Sequence, residues 1–391
     1  MIDASPPKSA DKPLDEKPPA DLKFLRWALI ACQALTFAVT WPLWESRIDN
    51  PWMPHLPAIP EVIAAPLQFN WGIPLLATLV WSLVHAPSGL VLHAIFLALA
   101  IVVDQLRLQP EFVSLLILMV GTLPHRGLQV VARFHLAALW FYAGFHKLLS
   151  EGYWNSGGAE HLMRTFNMLD ANSAQVLAIA SAVTECMVGI CWMIPPTRLA
   201  ASVCALLLHF GILFSLLIQG WNVAVWPWNV GLMVAAIGFA IDWEEPGHVS
   251  AARAGWQGLL GASLMLVTPL LFYVGYFDSY LCHCLYSGNT AQARFYSGPD
   301  DASGESLVTR SMEAIHVPFP PEHRLYEQYF RKVARPGDML SIRDKRWYYH
   351  WRGWGERWLE KPLDAGPDAE IIEHRGDELV EPSESSEGNS R

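Results

Sequence analysis

Residues 132–149, ARFHLAALWFYAGFHKLL, make an apolar run that carries two basic side chains, two histidines and a tyrosine. At about 100° per residue, Arg133, Ala137, Trp140, Gly144 and Lys147 fall on one face of a helix. His135, Tyr142 and His146 fall on the opposite face. A helix that is polar on two sides cannot turn either side to lipid. The pattern predicts a helix held inside a bundle of others, with Gly144 admitting a close neighbour.

The rest of the chain supplies that bundle. Of 391 residues, 52% are hydrophobic and 16% charged, where a soluble domain carries about 25% charge. The charges gather in the first 26 residues and after Phe277. No soluble core of this length buries so much apolar surface, whereas a bilayer does. Apolar runs predict spans near 24–44, 68–86, 88–104, 109–124, 127–149, 173–194, 199–219, 225–242 and 256–277. Many of the 18 Trp sit at the ends of these runs, among them Trp27, Trp71, Trp154, Trp221 and Trp243, where interfacial aromatic belts form. The expected fold is an all-α polytopic membrane bundle of about nine transmembrane helices with a small α+β extramembrane domain at its C-terminal end.

Four segments follow. Residues 1–22 are polar and Pro-rich and read as a disordered tail. Residues 23–277 are the helical domain, entered through a first run that reads as an uncleaved signal anchor. Residues 278–358 are mixed, with a short amphipathic helix expected over Glu322–Lys332 and strands over Met339–Ile342 and Trp347–Trp351. Residues 359–391 are acidic and read as disordered. Lys8, Lys12, Lys17, Lys23 and Arg26 favour a cytoplasmic N-terminus, and an odd number of spans then puts the C-terminus in the periplasm or lumen. Arg47 and Arg107 lie on the other side and break the rule in part. The net charge is −10 and there is no basic stripe, which argues against nucleic acid as a partner.

Ionisable groups at membrane depth are the places to look for chemistry. Lys147 has two readings. It snorkels to headgroups from the end of its helix, or it turns into a dry cavity where an amine can act as a base. Glu185 lies mid-span in SAVTECMVGICWMIP and needs a partner, with Lys147, Arg133 and His209 as options. His209 lies mid-span in ALLLHFGILFSLL, and Gln219, Trp221, Asn222 and Asn229 follow at the outer mouth. His146 and His135 are proton carriers or ligands, or else tie helices together by single hydrogen bonds. The Cys282-His283-Cys284 triplet completes neither a relaxed disulfide nor a zinc site, and no metal is expected.

The segment LWFYAGFHKLLSEGYWNSGGA, residues 139–159, is similar to the aromatic-aromatic-Ala-Gly-x-x-Lys…Trp-x-x-Gly signature of the horizontally transferred transmembrane domain. That domain is the membrane part of vitamin K-dependent gamma-carboxylases. The order Glu185, Thr197-Arg198, His209 also resembles its layout, and DoxX-type membrane proteins share a similar Glu…Gly…Thr-Arg order. The resemblance implies a quinol-using membrane enzyme with Lys147 as base, and with His209 and Glu185 beside it. It implies reduced vitamin K or another lipid quinol as cofactor, with His146, Tyr142 and Trp154 around it, and an exterior protein or peptide as substrate. Two other expectations stand beside it: a quinone-linked redox subunit, and a non-catalytic scaffold whose polar spans only hold helices together.

Overall fold

A computed structural model describes residues 20–45, 56, 59–60, 65–67, 69–167, 170–241, 243, 245–298, 301–363 and 371–375. Residues 1–19, most of 359–391 and most of the loop 45–67 lie outside these residues; within the segment expected to be a disordered tail, residues 359–360 and 372–375 are strand instead.

The nine apolar runs are helices, and a further helix, α6, lies between the fifth and sixth runs: α1 (Lys23–Val39), α2 (Gly72–Val84), α3 (Ala86–Val103), α4 (Pro110–Val120), α5 (Arg126–Leu148), α6 (Gly158–Phe166), α7 (Ala171–Trp192), α8 (Pro195–Gln219), α9 (Val225–Ile241) and α10 (Gly255–Val267). A 3-10 turn, Thr268–Val274, prolongs α10. Among the described residues, five helices are long and apolar enough to cross a membrane: α3, α5, α7, α8 and α10 with its 3-10 extension. Three others, α2, α4 and α9, are apolar but shorter. Prolines explain two of the short elements. Pro87 restarts the chain as α3 just after α2 ends, and Pro110 opens α4, which stops at Gly121. The first helix has Lys23 and Arg26 in its opening turns, and Arg26 is buried against Asp21 at 2.8 Å.

Helix α5 is the axis of the bundle. Of its apolar stretch 72% is buried inside the protein, against 33% or less for each of the other four long helices. Elsewhere large apolar side chains point outward, such as Leu199, Leu207 and Phe210 on α8, where a bilayer covers them. The closest packing is of α5 on α7, and glycine permits it. A Cβ on Gly144 would stand 2.3 Å from the Ala182 carbonyl oxygen, and one on Gly189 would stand 2.6 Å from that of Ala137. One glycine on each helix thus lets two backbones touch, the way small residues serve helix pairs in lipid. Asp170 caps α7 by accepting a hydrogen bond from the Ser173 amide at 2.7 Å.

After the bundle come five antiparallel strands in the order β2-β1-β3-β4-β5: β1 (Gln292–Tyr296), β2 (Glu305–Ser306), β3 (Met339–Arg343), β4 (Glu356–Glu360) and β5 (Ile372–Arg375). Helices α11 (Leu307–Ile315) and α12 (His323–Val333) accompany the sheet. Tyr329 and Phe330 of α12 pack against Phe295 of β1. The helix expected over Glu322–Lys332 is therefore α12, and the strand expected at Met339 is β3. The segment Trp347–Trp351 is one helical turn and not a strand. Asp344 dictates this, since its carboxylate accepts from the Arg346 amide and side chain and closes the chain into a turn. The sheet unit is bound to the bundle: Arg324 donates to Asp278 and Gln105, and the Gln109 amide to the Pro318 carbonyl at 2.9 Å.

Candidate functional site

Glu185 and Lys147 are on adjoining faces of α7 and α5 because the glycine crossing brings those faces together. The Lys147 ammonium donates to both carboxylate oxygens of Glu185, at 2.5 and 2.8 Å. The two side chains are 11% and 5% exposed, so the lysine does not run out to the headgroups. Stripping water from two such charges costs several kcal/mol per ion. The two-pronged contact offsets this, and the face of the Tyr153 ring, 5.5 Å from the amine, adds a cation–π interaction.

The pair opens on a cavity of about 580 Å³. Its walls come from α5, α6, α7, α8 and the segment after the bundle, and they are chiefly apolar and aromatic, with Leu162, Phe166, Leu208, Ile212, Tyr280 and Phe319 among them. A second polar patch faces the same space. His161 and Thr165, four residues apart on α6, meet Ser215 and Gln219, four apart on α8. The Ser215 hydroxyl is 2.6 Å from His161 Nε2 and from Thr165 Oγ1, and the Gln219 amide donates to the His161 carbonyl at 3.1 Å. The cavity is thus an apolar chamber with an ion pair on one side and a hydroxyl–imidazole cluster on another. A site of that volume and lining suits a small molecule with an apolar body and a few polar atoms.

The other residues singled out from the sequence lie elsewhere. His209 does not line the cavity. Its Nε2 accepts from the Trp140 indole at 2.8 Å, so its Nδ1 carries the proton and donates to Asn229 Oδ1 at 2.8 Å. The Asn229 amide donates in turn to the Val225 carbonyl. Every polar atom in that chain is satisfied, and the imidazole joins α5, α8 and α9. His146 is likewise engaged at both nitrogens, by the Tyr273 hydroxyl at 2.6 Å and the Cys282 carbonyl at 2.9 Å. Tyr142 donates to the Leu266 carbonyl. Trp154 is half-buried, and its neighbour Tyr153 lines the cavity instead. His135 bonds Ser114 at 2.8 Å, with its ring 5.3 Å from that of His283. Of the six residues expected at the site, the structure brings Lys147 and Glu185 to the cavity and puts His209, His146, Tyr142 and Trp154 outside its lining.

The Cys282 and Cys284 thiols are buried and free, and Cys284 reaches the cavity wall. Burial pushes both thiols well above their usual range, which leaves little thiolate to react. Among the described residues no group of His, Cys, Asp and Glu could hold a metal ion. Sequence reading missed Tyr153, His161 and Ser215. The i,i+4 spacing of His161 and Thr165 is the one signal in the sequence that could have found part of this cluster.

Fold and site together define a polytopic helical membrane protein with a ligand-sized chamber at the junction of its bundle and sheet unit. The family whose model matches is described as Methylamine utilisation protein MauE, and the match runs over residues 126–225. It begins with α5, ends at the first residue of α9 and contains both members of the ion pair. This chain is similar to that membrane family over those helices. The match corrects the resemblance drawn from residues 139–159: the related family is not the carboxylase membrane domain, nor the DoxX type. A short Ala-Gly-x-x-Lys motif in an apolar helix reflects close helix packing as much as descent. No curated protein and no solved structure matches the chain.

Proposed function

We propose that this integral membrane protein binds a lipid-soluble, weakly acidic hydroxyl compound of the quinol class, and that the Lys147–Glu185 pair is its proton-exchanging anchor. The observation that carries the reading is the opening of a buried, bidentate ion pair on an apolar chamber. The roles differ from those expected of a lone amine. Lys147 is already an ammonium bound to a carboxylate, so Glu185 is the group free to accept a proton. A ligand hydroxyl that gives its proton to Glu185 becomes an oxyanion, and the Lys147 ammonium, released from the carboxylate, holds that anion. Charge is conserved within the chamber, and the low-polarity walls strengthen each interaction. The cluster at His161 and Ser215 supplies hydrogen bonds to a second oxygen. The reading keeps the N-terminus in the cytoplasm, on the strength of the basic residues before α1.

The matching family is named for methylamine utilisation, which raises an amine as ligand. A methylammonium ion would set a second cation beside Lys147 on a single carboxylate, whereas a neutral hydroxyl adds no charge to the pair. The chamber therefore favours an oxygen acid over an amine.

One observation favours a second reading. The pair sits beside the Gly144 crossing, where a salt bridge would simply clamp α5 to α7. The two readings part in a binding experiment with the full chain in nanodiscs and a short-chain benzoquinol, followed by equilibrium dialysis. The proposal expects saturable binding that Glu185→Gln weakens by about tenfold, equivalent to about 1.4 kcal/mol. Uptake that is unsaturable and equal in both proteins supports the clamp and rejects the proposal.

A further inference from the structure

The segment from Lys345 to Arg352 belongs to the sheet unit by sequence and lies against the membrane end of the bundle. Its helical turn, Trp347–Trp351, packs on the 3-10 turn that ends the last span. The Tyr348 ring rests on Gly275, where an added Cβ would stand 2.8 Å from ring atom Cε1. The Arg346 guanidinium lies 4.5 Å from the Phe272 ring centre, beneath the turn. One face of the turn is inward: Tyr349 stacks on His323, with ring centres 4.5 Å apart and planes 5° off parallel. The other face is bare. Trp347 is 58% exposed and Trp351, one turn further on, is 77% exposed, as is Tyr276 just past the span at 77%. Exposed basic residues, Lys345 and Arg352, bracket the two tryptophans.

We infer that the Trp347–Trp351 turn is an interfacial anchor, which lays the sheet unit on the lipid headgroups of the leaflet where the last span ends. The occupant is lipid, for three reasons. The turn is continuous with a span that already ends in the bilayer surface. Tryptophan pairs are at their best in the headgroup region, with the ring amphipathic and the indole N–H wet. The flanking Lys345 and Arg352 complement lipid phosphate. The anchor has a consequence for the cavity, whose walls include residues of the chain just before the sheet: it fixes that roof against the bundle from the outside.

The test is photocrosslinking. The full chain carries benzoylphenylalanine in place of Trp351, or in place of exposed Arg331 on α12 as control, and is reconstituted in phosphatidylcholine–phosphatidylglycerol vesicles. Irradiation at position 351 should give phospholipid adducts several-fold more abundant than at position 331. Adducts to another protein chain, or lipid adducts no more frequent than in the control, overturn the inference. A second measurement covers a label that disturbs the turn. With Trp347→Ser and Trp351→Ser together, amide exchange over residues 345–352 should quicken in vesicles and stay as in the parent protein in detergent. Equal exchange in vesicles also overturns it.

Discussion

Lys147 of α5 donates to both oxygens of Glu185 on α7, at 2.5 and 2.8 Å, beside the crossing where Gly144 and Gly189 let the two backbones touch. Neither residue is accessible enough to be satisfied by water alone. Each therefore depends on the other, and removing one leaves a charge with no partner.

That dependence sets the first prediction. Glu185→Leu or Lys147→Met alone should lower stability in detergent by about 3–5 kcal/mol, the cost of stranding a buried charge. Lys147→Met combined with Glu185→Leu should recover most of it, because the charge is gone along with its partner. Denaturant unfolding of the four proteins measures this. Additive losses in the double variant would mean that the two side chains are not coupled.

The crossing itself can be tested apart from the charges. Gly189→Val would push a side chain into the Ala137 carbonyl and the Phe141 backbone. A cost of about 1–3 kcal/mol is expected from overpacking, with α5 and α7 forced apart. Unchanged thermal unfolding would contradict the close approach.

The hydroxyl–imidazole cluster should matter for the ligand more than for the fold. His161 and Ser215 face the cavity from α6 and α8, and Ser215→Ala removes the hydroxyl that bonds His161 at 2.6 Å. Benzoquinol affinity should fall by a few-fold in Ser215→Ala and further in His161→Leu, while unfolding temperatures stay close to the parent. Loss of fold without loss of affinity would reverse the assignment.

Outside the membrane, the sheet unit should weaken in acid. Burial alone would raise the Asp344 carboxyl, but hydrogen bonds from His323 and Arg346 outweigh it and hold the group below its ordinary value of 3.8. His323 donates through Nε2 at 2.9 Å, while its Nδ1 faces the Arg357 guanidinium. A carboxyl with a depressed folded-state pKa stabilises fully above its unfolded value and loses that contribution as the pH falls through the folded one. Amide exchange in β3 and β4 should therefore quicken as pH drops below about 4, and Asp344→Asn should remove that limb of the profile. A profile identical in the variant would show that other groups set it.

Much of the fold was legible because bilayer physics is written in composition. The apolar runs became helices, and the two-sided polarity of residues 132–149 marked the most buried helix. Length was less legible: α2 and α4 end early because Pro87 and Gly121 cut the pattern. At the site, a carboxylate mid-span announced the need for a cation, with Lys147 as one of three options beside Arg133 and His209, and the structure selects Lys147. His209 could not be placed, because its partners Trp140 and Asn229 come from two other helices and no spacing along the chain encodes them. Arg107 broke the charge rule for a reason that sequence does not show: it is wholly buried, with Asp104 at 3.5 Å and the Leu43 carbonyl at 3.1 Å. The helical turn at Trp347 was misread as a strand because aromatic content outweighed the Asp344 turn signal.

The most direct test is native mass spectrometry of the full chain released from its own membranes in mild detergent, beside Glu185→Gln prepared in the same way. The account predicts a lipid-soluble hydroxyl compound retained at one per chain by the parent protein and lost from the variant, with both proteins folded. A parent protein that carries only bulk phospholipid, or a compound retained equally by both, would contradict it.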